Sequence, residues 1–281
     1  MNQLAILGPG LLGGSLAKAI RARVPQCRVT LWVRRAEAVE EARDAGVADF
    51  VSQDLAAVVA EADMVVLCMP VEAMPEIAAR VAPLISPRAV VTDVGSVKGC
   101  VVDALVPIFR KRGRFVGSHP MAGSEQSGLS AARSDLYEGA VCIVTPHTGA
   151  DPEAVAETCR LWERVGCSIS TLSPEEHDRA VGLVSHLPHL LAAALVDFVC
   201  AESPESVNFC GNGFRDTTRV AAGPAAMWTG IFAANRAVVV GQLDRMIGRL
   251  QAISKDLAAG NDTRIYEFLA NAKEARDRLN R

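Results

Sequence analysis

The sequence has no excess of charge of one sign, because 29 lysine and arginine residues nearly balance 32 aspartate and glutamate residues. A formal net charge of -3 gives no broad electrostatic attraction to nucleic acid or to an anionic membrane surface. We therefore expect neither as a partner, and any basic binding site must be local.

The eight cysteines contain no CxxC pair. Cys68, Cys100, Cys142 and Cys200 lie in apolar or small-residue surroundings, which is typical of reduced and buried thiols. The chain begins directly with the strand-like segment LAIL and lacks the basic region and cleavage pattern of a signal peptide. We therefore expect a cytoplasmic protein.

The sequence also lacks a long uninterrupted apolar run. The longest apolar stretch, residues 180–201, is interrupted by Ser185, His186, Pro188, His189 and Asp197. This pattern predicts a core helix rather than a membrane-spanning one.

Residues 6–15, ILGPGLLGGS, place a GxGxxG pattern between a short apolar run and an amphipathic helix. Gly8 would permit a tight turn, Gly10 would let the backbone approach a pyrophosphate, and Gly13 would let helix and strand pack closely. The anion would lie at the helix N-terminus, where unpaired N–H groups and the helix dipole favour it. The pattern predicts a dinucleotide cofactor but says nothing about the substrate.

Strand-like and helix-like segments alternate over the first 172 residues, which favours a parallel sheet. Ser173, Pro174 and Glu176 then supply an N-cap, a first-turn proline and a capping-box acid, and the rest reads as almost wholly helical. We predict an α/β, Rossmann-type nucleotide-binding domain at 1–172 and an all-α domain at 173–281. The predicted strands are 4–7, 28–33, 64–69, 89–92, 115–116, 140–144 and 168–172.

The second predicted strand ends at Val33, not at the aspartate or glutamate that usually binds the ribose of NAD. Arg34 and Arg35 follow, and their guanidinium groups are suited to a 2′-phosphate. NADP is therefore favoured, with NAD as the alternative; two solvated arginines that pair with Glu37 and Glu40 are the structural interpretation. The predicted cofactor-binding residues are Gly8, Gly10, Leu11, Leu12, Gly13, Arg34, Arg35, Met69 and Pro70.

Three segments are dense in polar groups suited to chemistry: DVGSVK at 93–98, SHPMAGSE at 118–125 and FRDTTR at 214–219. The first two follow predicted strands, and loops beyond the carboxyl ends of parallel strands border the ligand crevice, so Ser96 and His119 are placed to face the nicotinamide. Neutral imidazole takes up a proton near pH 7, which makes His119 the best candidate for a general base. The structural alternatives are a loop histidine that fixes the backbone and a helix N-cap at Ser96.

Taken in order, GPGLLGGSLAKAI, DVGSVK, SHPMAGSE, SHLPH and GFRDTTR resemble the prephenate and arogenate dehydrogenase family over nearly the whole chain. The resemblance implies a nucleotide-binding domain followed by a helical dimerisation domain, with no extension for a fused mutase or regulatory domain. It also implies an NAD(P)-dependent oxidoreductase of tyrosine biosynthesis that acts on a CH–CH donor. Prephenate would be oxidatively decarboxylated to 4-hydroxyphenylpyruvate, or arogenate to tyrosine.

The same resemblance assigns roles to the polar residues. His119 removes the proton of the ring hydroxyl while hydride leaves the same carbon, and Ser96 orients both groups. Arg219 matches the arginine that binds a substrate carboxylate, as suits its bidentate geometry, whereas a surface pair with Asp216 is the structural alternative. Asp216 matches an acid implicated in access to the active site.

His186 matches a histidine that lines the substrate pocket, and Trp228 matches an aromatic wall, although such a side chain is more often core. Glu125 either assists substrate binding across a subunit boundary or forms a solvated ion pair. His186 and His189 lie at helical spacing without a third ligand, so no metal site is predicted. His177 is interpreted as structural or exposed.

Several alternatives stay open at this point. An ammonium group favours a nearby carboxylate, and the segment VAAGPAAM before Trp228 contains no acid, so prephenate is favoured over arogenate. The β-hydroxyacid dehydrogenases share the layout of a nucleotide domain joined to helices, and an NADP-binding sensor would need no proton acceptor. The apolar surface of the helical domain predicts a homodimer.

Overall fold

The computed structural model of the protein describes residues 1–110, 114–124 and 126–279. In these ranges the strands are β1 (Gln3–Leu7), β2 (Arg28–Trp32), β3 (Phe50–Ser52), β4 (Met64–Leu67), β5 (Val90–Asp93), β6 (Arg114–Phe115), β7 (Gly117–Pro120), β8 (Val141–Thr145) and β9 (Ser168–Thr171). The α-helices are α1 (Leu11–Arg23), α2 (Glu37–Asp44), α3 (Leu55–Val59), α4 (Met74–Val81), α5 (Gly99–Phe109), α6 (Pro152–Arg164), α7 (Pro174–Val181), α8 (Leu187–Glu202), α9 (Asn212–Thr218), α10 (Ala225–Ala234), α11 (Arg236–Ala258) and α12 (Asp262–Arg278).

Strands β1 to β6 form one parallel sheet of six strands in the described chain, in the order β3-β2-β1-β4-β5-β6. Every residue of β1 and β4 is buried, as expected of central strands covered on both faces. The strand order reverses between β1 and β4, and a crevice for a dinucleotide forms at such a point. The prediction of a Rossmann-type fold is confirmed.

A second, smaller sheet carries the candidate base. β7 pairs antiparallel with β8, and β8 pairs parallel with β9. The sequence predicts a loop at His119, whereas this residue lies in β7 and pairs with Ile143. The segment GSHP is short and ends in a proline, which is tolerated because β7 is an edge strand of the described sheet.

The helical part begins where the sequence predicts. The Ser173 hydroxyl accepts a hydrogen bond from the Glu176 N–H at 3.2 Å, and the Glu176 carboxylate accepts one from the Ser173 N–H at 2.9 Å. Each described regular element from Pro174 onward is a helix, which confirms the all-α prediction. A π-helical turn, Gly182–His186, joins α7 to α8.

The helical run Pro174–Glu202 is long and apolar enough to cross a membrane by length and composition alone. It is not a simple core helix, because Leu195 and Phe198 are 37% and 62% exposed. His186 and His189 on the same run are buried in the protein. The run therefore has one face against the protein and one exposed apolar face.

The cysteines are less uniformly buried than the sequence predicts. Cys142 is buried and Cys68 is partly buried, whereas Cys100 and Cys200 are exposed. Cys100 lies on α5, where the buried Val101 and Val102 occupy another face, whereas Cys200 lies in the last turn of α8, where Phe198 is exposed as well.

The chain divides into two compact units, Met1–Asn235 and Arg236–Arg281. The predicted domain boundary between residues 172 and 173 stays a prediction. In the smaller unit α11 and α12 are joined through Gly260, whose φ of +67° ends the first helix in the left-handed region. Both helices present exposed apolar side chains: Val240, Ile247, Leu250, Leu257, Tyr266 and Leu269.

Candidate active site

The glycine pattern forms a tight loop between β1 and α1. Gly8 has a φ of +113°, and a Cβ there would lie 2.4 Å from the carbonyl oxygen of Cys68. Gly13 lies so close to the loop that a Cβ would be 1.9 Å from the carbonyl oxygen of Gly8. A Cβ on Gly10 would meet no heavy atom within 4 Å, so the loop is open at this position.

This loop fits a dinucleotide. Gly10 is the N-cap of α1 and supplies no capping side chain, and the first turn contains no acidic residue. The first N–H groups of α1, at Leu11 and Leu12, are therefore suited to a pyrophosphate. Met69 and Pro70 directly follow Cys68, whose backbone borders the glycine loop, so the predicted cofactor residues of both segments lie near each other.

The arginines after β2 have a different setting from the one that the sequence suggests. Arg34 and Arg35 are exposed, and Val33 before them is buried. Glu40 pairs with Arg43 at 2.9 Å rather than with either arginine. Both guanidinium groups are therefore accessible to a ligand.

A chain of hydrogen bonds holds the His119 ring. Nδ1 of His119 lies 2.9 Å from Nε2 of His177, and Nδ1 of His177 lies 2.8 Å from Oδ1 of Asp178. The Asp178 carboxylate also accepts hydrogen bonds from the backbone N–H groups of Lys98 and Gly99, at 2.7 and 2.8 Å. His177 is thus fully buried and bonded to the candidate base, rather than exposed.

The surroundings keep His119 neutral. Burial, followed by the nearby His177 and the charge of Lys98, holds the pKa of His119 well below its usual value. Lys98 is itself fully buried: its Nζ is bonded to the Asp93 carboxylate and donates to the carbonyl oxygen of Ser118 at 3.0 Å. A neutral imidazole next to β5 is a competent proton acceptor.

His186 occupies a second buried position, and one of its two ring nitrogens is hydrogen-bonded. Its Nδ1 lies 3.1 Å from Nδ2 of Asn235, which also donates to the backbone carbonyl oxygen of Asp178 at 3.0 Å. Burial lowers the pKa of His186 to about 4. Its Nε2 is buried and makes no hydrogen bond with the part of the chain that the structure describes.

Trp228 forms a wall next to this histidine. Its ring stacks on His189 with centroids 3.6 Å apart and planes 10° from parallel, and its centroid lies 6.1 Å from that of His186. Gly223 makes this packing possible, because a Cβ there would lie 2.4 Å from Nε1 of Trp228. Trp228 is partly exposed.

The role that the resemblance implies for Ser96 stays a prediction. No hydrogen bond joins its hydroxyl to His119 in the described chain, and His177 makes the orienting contact. The backbone carbonyl of Ser96 opposes the lowering of the pKa of His186, which places Ser96 next to that histidine. Its hydroxyl remains available to a substrate.

The other predicted substrate residues are less closely grouped. Asp216 lies on α9 and Arg219 in the 3₁₀ turn that follows, and both are exposed. The carbonyl of Val220 raises the pKa of His189 against the lowering by burial, which places this turn next to His189. Glu125 lies outside the described residues.

Sequence reasoning did not find the roles of His177, Asp178, Asn235 and Lys98. The available signal was a histidine followed directly by an aspartate in the first helix after a capping box. That signal does not reveal the contact with His119, which lies 58 residues away in the chain.

Family models match both parts of the chain. The model for the nucleotide-binding domain of prephenate dehydrogenase matches residues 16–171, and the model for its dimerization domain matches residues 173–271. The chain belongs to the prephenate dehydrogenase family. The resemblance stated from the sequence is confirmed, and the β-hydroxyacid dehydrogenase alternative is set aside.

Individual relatives agree with this assignment. A cyclohexadienyl dehydrogenase from Zymomonas mobilis is 33% identical over 98% of this chain and 95% of its own length. A prephenate dehydrogenase from Bacillus subtilis is 34% identical over 99% of this chain and 77% of its own length. The crystal structure of prephenate dehydrogenase from A. aeolicus in complex with hydroxyphenyl propionate and NAD+ is 35% identical, with a TM-score of 0.93 and coverage of 99% and 98% of the two chains.

Proposed function

We propose that this protein catalyses the NAD(P)-dependent oxidative decarboxylation of prephenate to 4-hydroxyphenylpyruvate. The observation that carries this proposal is the buried, neutral imidazole of His119 next to the carboxyl end of β5. The Ser118 N–H holds this position by donating to the Asp93 carboxylate at 3.2 Å. Because Nδ1 of His119 is bonded to His177, Nε2 is the atom left to take up a proton.

In the proposed reaction, the ring hydroxyl of prephenate gives its proton to Nε2 of His119 while hydride leaves the carbon that bears this hydroxyl. Bound NAD(P)+ supplies the hydride acceptor. The new carbonyl accepts electrons as the ring loses carbon dioxide, and formation of the aromatic ring makes the step favourable. The residues of the site mainly supply position, an effect worth on the order of several kcal/mol.

Prephenate carries two carboxylates that need fixed partners. Arg219 is proposed to bind one of them through its planar guanidinium group. Nε2 of His186 is buried and makes no hydrogen bond of ordinary geometry in the described chain, although the backbone carbonyl of Ser96 lies near this ring; it is proposed to hydrogen-bond the substrate side chain. Trp228 is proposed to pack on the ring and Ser96 to bond its hydroxyl, with Asp216 at the entrance; the role proposed for Glu125 rests on the sequence alone.

Arogenate is the second candidate substrate, and one contact favours it. Glu72 lies against α10, where its carboxylate oxygen is 3.2 Å from the position of a Cβ on Gly230. A carboxylate close to the Trp228 helix is the group that an ammonium would need. Catalytic efficiency on prephenate and on arogenate, for the protein and for Glu72→Gln, distinguishes the two: a preference for arogenate that the substitution abolishes reverses our choice.

The cofactor is proposed to be NAD or NADP, with Arg34 and Arg35 determining the affinity for NADP. The A. aeolicus relative was solved with NAD+, which supports NAD. The accessible arginines and the lack of an acid at Val33 support NADP. Replacing both arginines with alanine should raise the KM for NADP+ far more than the KM for NAD+, and equal changes would reject the role of the arginines.

We also propose a homodimer. The matched dimerization domain includes the open apolar face of α8 and the exposed apolar side chains of α11 and α12. Such surface is unusual on a monomer and typical of an interface between identical chains. Light scattering over a range of concentrations tests this assembly, and a monomer at every concentration would contradict it.

The activity itself is tested with purified protein, prephenate and either oxidised cofactor. We expect the absorbance of the reduced cofactor and 4-hydroxyphenylpyruvate to appear together in equal amounts. His119→Asn should lower kcat by about 10²–10⁴-fold, the usual contribution of a general base. His147→Asn, a change at a partly exposed histidine bonded to the carbonyl of Thr148, is the matched control. An active His119→Asn enzyme would reject the proposed base.

A further inference from the structure

We infer that His177 is a second proton carrier: it takes the Nδ1 proton of His119 as His119 takes the substrate proton, and Asp178 stabilises the imidazolium that forms. This inference rests on the proposed function, because it concerns the fate of the proton removed from the hydroxyl. His177 and Asp178 would act through His119 and are therefore positioning residues.

The hydrogen bonds of the chain have one consistent direction. Burial raises the pKa of Asp178, but its bonds to His177 and to two backbone N–H groups lower it below the usual value, so the carboxylate is ionised and accepts from Nδ1 of His177. The neutral His177 ring then has its lone pair at Nε2, and Nδ1–H of His119 donates to it at 2.9 Å. Nε2 of His119 is consequently the unprotonated nitrogen.

The position of the carboxylate favours a charge on His177 over one on His119. Burial, His177, Lys98 and His186 all lower the pKa of His119. His177 is also buried and near Lys98, but the carboxylates of Asp178 and Asp93 act in the opposite direction and favour its protonated form. Among the described residues, the charged and titratable groups that act on the pair are Asp93 on β5, Lys98 directly before α5, Asp178 on α7 and His186 in the π-helical turn.

The transfer is balanced in atoms and charge. The O–H bond of the substrate breaks as an N–H bond forms at Nε2 of His119, and the Nδ1–H bond of His119 breaks as an N–H bond forms at Nε2 of His177. The positive charge then resides on His177, 2.8 Å from the Asp178 carboxylate. After product release, Nε2 of His119 gives its proton to water and His177 returns the other proton to Nδ1.

The geometry is rigid enough for such a transfer. His177 is fully buried, and His119 and Asp178 are 8% and 7% exposed. The Asp178 carboxylate is fixed by the first amides of α5, and the two imidazole rings are tilted by 60° with centroids 5.1 Å apart. The arrangement orients the base in the way that the aspartate of a Ser-His-Asp triad does, with an added imidazole between them.

The first test is the protonation state of His119 in the cofactor-free protein, measured by ¹⁵N NMR of the imidazole rings. The chain has five histidines, so each ring can be assigned by single substitution. We expect Nδ1 of His119 to be protonated and Nε2 to be bare at pH 7.5. A proton on Nε2 would overturn the relay, whatever the enzymatic activity.

The second test separates orientation from proton transfer. In His177→Gln, the amide oxygen can still accept from His119 but cannot carry a proton, so we expect the His119 tautomer to persist while kcat falls roughly tenfold to a hundredfold. In the unaltered protein the added proton resides on His177 next to Asp178, whereas in His177→Gln it must reside on His119. The acid limb of the pH profile should therefore move to lower pH. In His177→Phe the proton of His119 should no longer be confined to Nδ1, and kcat should fall as well. His147→Gln should behave as the unaltered protein.

A His177→Gln enzyme with unchanged kcat and pH profile would overturn the role of proton carrier. Failure of the proposed function looks different, because the unaltered protein would then leave prephenate intact while the NMR spectrum still showed Nδ1–H on His119.

Discussion

Nδ2 of Asn235 lies between two acceptors, 3.1 Å from Nδ1 of His186 and 3.0 Å from the backbone carbonyl oxygen of Asp178. A carbonyl only accepts, so the amide nitrogen donates to both groups and Nδ1 of His186 is unprotonated. The proton of neutral His186 is therefore on Nε2. Asp178 thus gives the two rings opposite tautomers. Its side chain, through His177, leaves Nε2 of His119 unprotonated, and its backbone carbonyl, through Asn235, leaves Nε2 of His186 protonated.

Replacing Asn235 with leucine removes the donor to Nδ1 of His186, so the proton of this ring should no longer be confined to Nε2. We expect the KM for prephenate to rise about tenfold while kcat changes less, because a hydrogen bond to a charged group is worth about 1.5–3 kcal/mol. Steady-state kinetics measure this split, and Asn261→Leu, at an exposed asparagine bonded to Asp256, is the control. A destabilised variant with an unchanged KM would show that Asn235 serves only the fold.

Removing one partner of the buried ion pair between Lys98 and Asp93 should lower the free energy of unfolding. Both side chains are fully buried, so Lys98→Met leaves an unpaired carboxylate, and we expect a loss of roughly 3–5 kcal/mol in the free energy of unfolding. Lys98→Met/Asp93→Asn should recover part of this loss. Urea denaturation measures both values, with the exposed Lys255→Met as control, and a double variant no more stable than the single one would contradict the pairing.

The same Lys98→Met variant has a second expected effect, on pH dependence. The charge of Lys98 lowers the pKa of His119, so its removal should move the acid limb of kcat/KM to higher pH. A variant that folds but keeps the original acid limb would show that Lys98 acts on stability alone.

The fold followed from local patterns, whereas the arrangement of the site did not. The turn at Gly8 and the cap at Ser173 are set by residues a few positions apart, and both are present as predicted. The bonds from His119 to His177 and from His186 to Asn235 span 58 and 49 residues, and no periodicity or spacing encodes them. Family resemblance points to His119 and His186 but not to the groups that determine which of their nitrogens carries the proton.

Two irregular positions have a common physical cause. His119 lies in a strand of four residues where the sequence predicts a loop, and the helical segment that follows Pro224 is interrupted at Asn235, between α10 and α11. In both places a side chain needed by the site overrides the local pattern: β7 aligns His119 against His177, and the break turns the Asn235 amide toward His186. Such positions read as irregularities in the sequence and gain their meaning from tertiary contacts.

The glycines of the nucleotide loop offer a matched pair of substitutions. A Cβ on Gly13 would clash with the backbone of Gly8, so Gly13→Ala should both lower stability and abolish cofactor binding. A Cβ on Gly10 meets no protein atom, so Gly10→Ala should leave the melting temperature of the cofactor-free protein unchanged yet weaken NAD+ binding. Thermal melting and fluorescence titration measure the two effects, and full NAD+ affinity in Gly10→Ala would place the pyrophosphate elsewhere.

The buried histidines predict how stability depends on pH. His119, His177, His186 and His189 all have a lowered pKa in the folded protein, and that of His186 falls from 6.5 to about 4. Between these values the unfolded chain binds more protons than the folded one, so the free energy of unfolding rises with pH. The contribution of the neutral histidines to the free energy of unfolding should be fully present above pH 6.5 and should decrease as the pH drops toward 4.

Urea denaturation at several pH values measures this dependence. His186→Gln removes one of the four groups and should flatten the slope between pH 6.5 and 4, whereas His147→Gln should not change it. Carboxylates with a lowered pKa, such as Asp178, Asp49 and Glu176, change the stability in the same direction but mainly below about pH 5, so the slope between pH 6.5 and 5 reports the histidines. A stability that is constant from pH 7.5 to 4.5 would mean that the buried rings charge without cost, and the neutral state assigned to His119 would lose its physical basis.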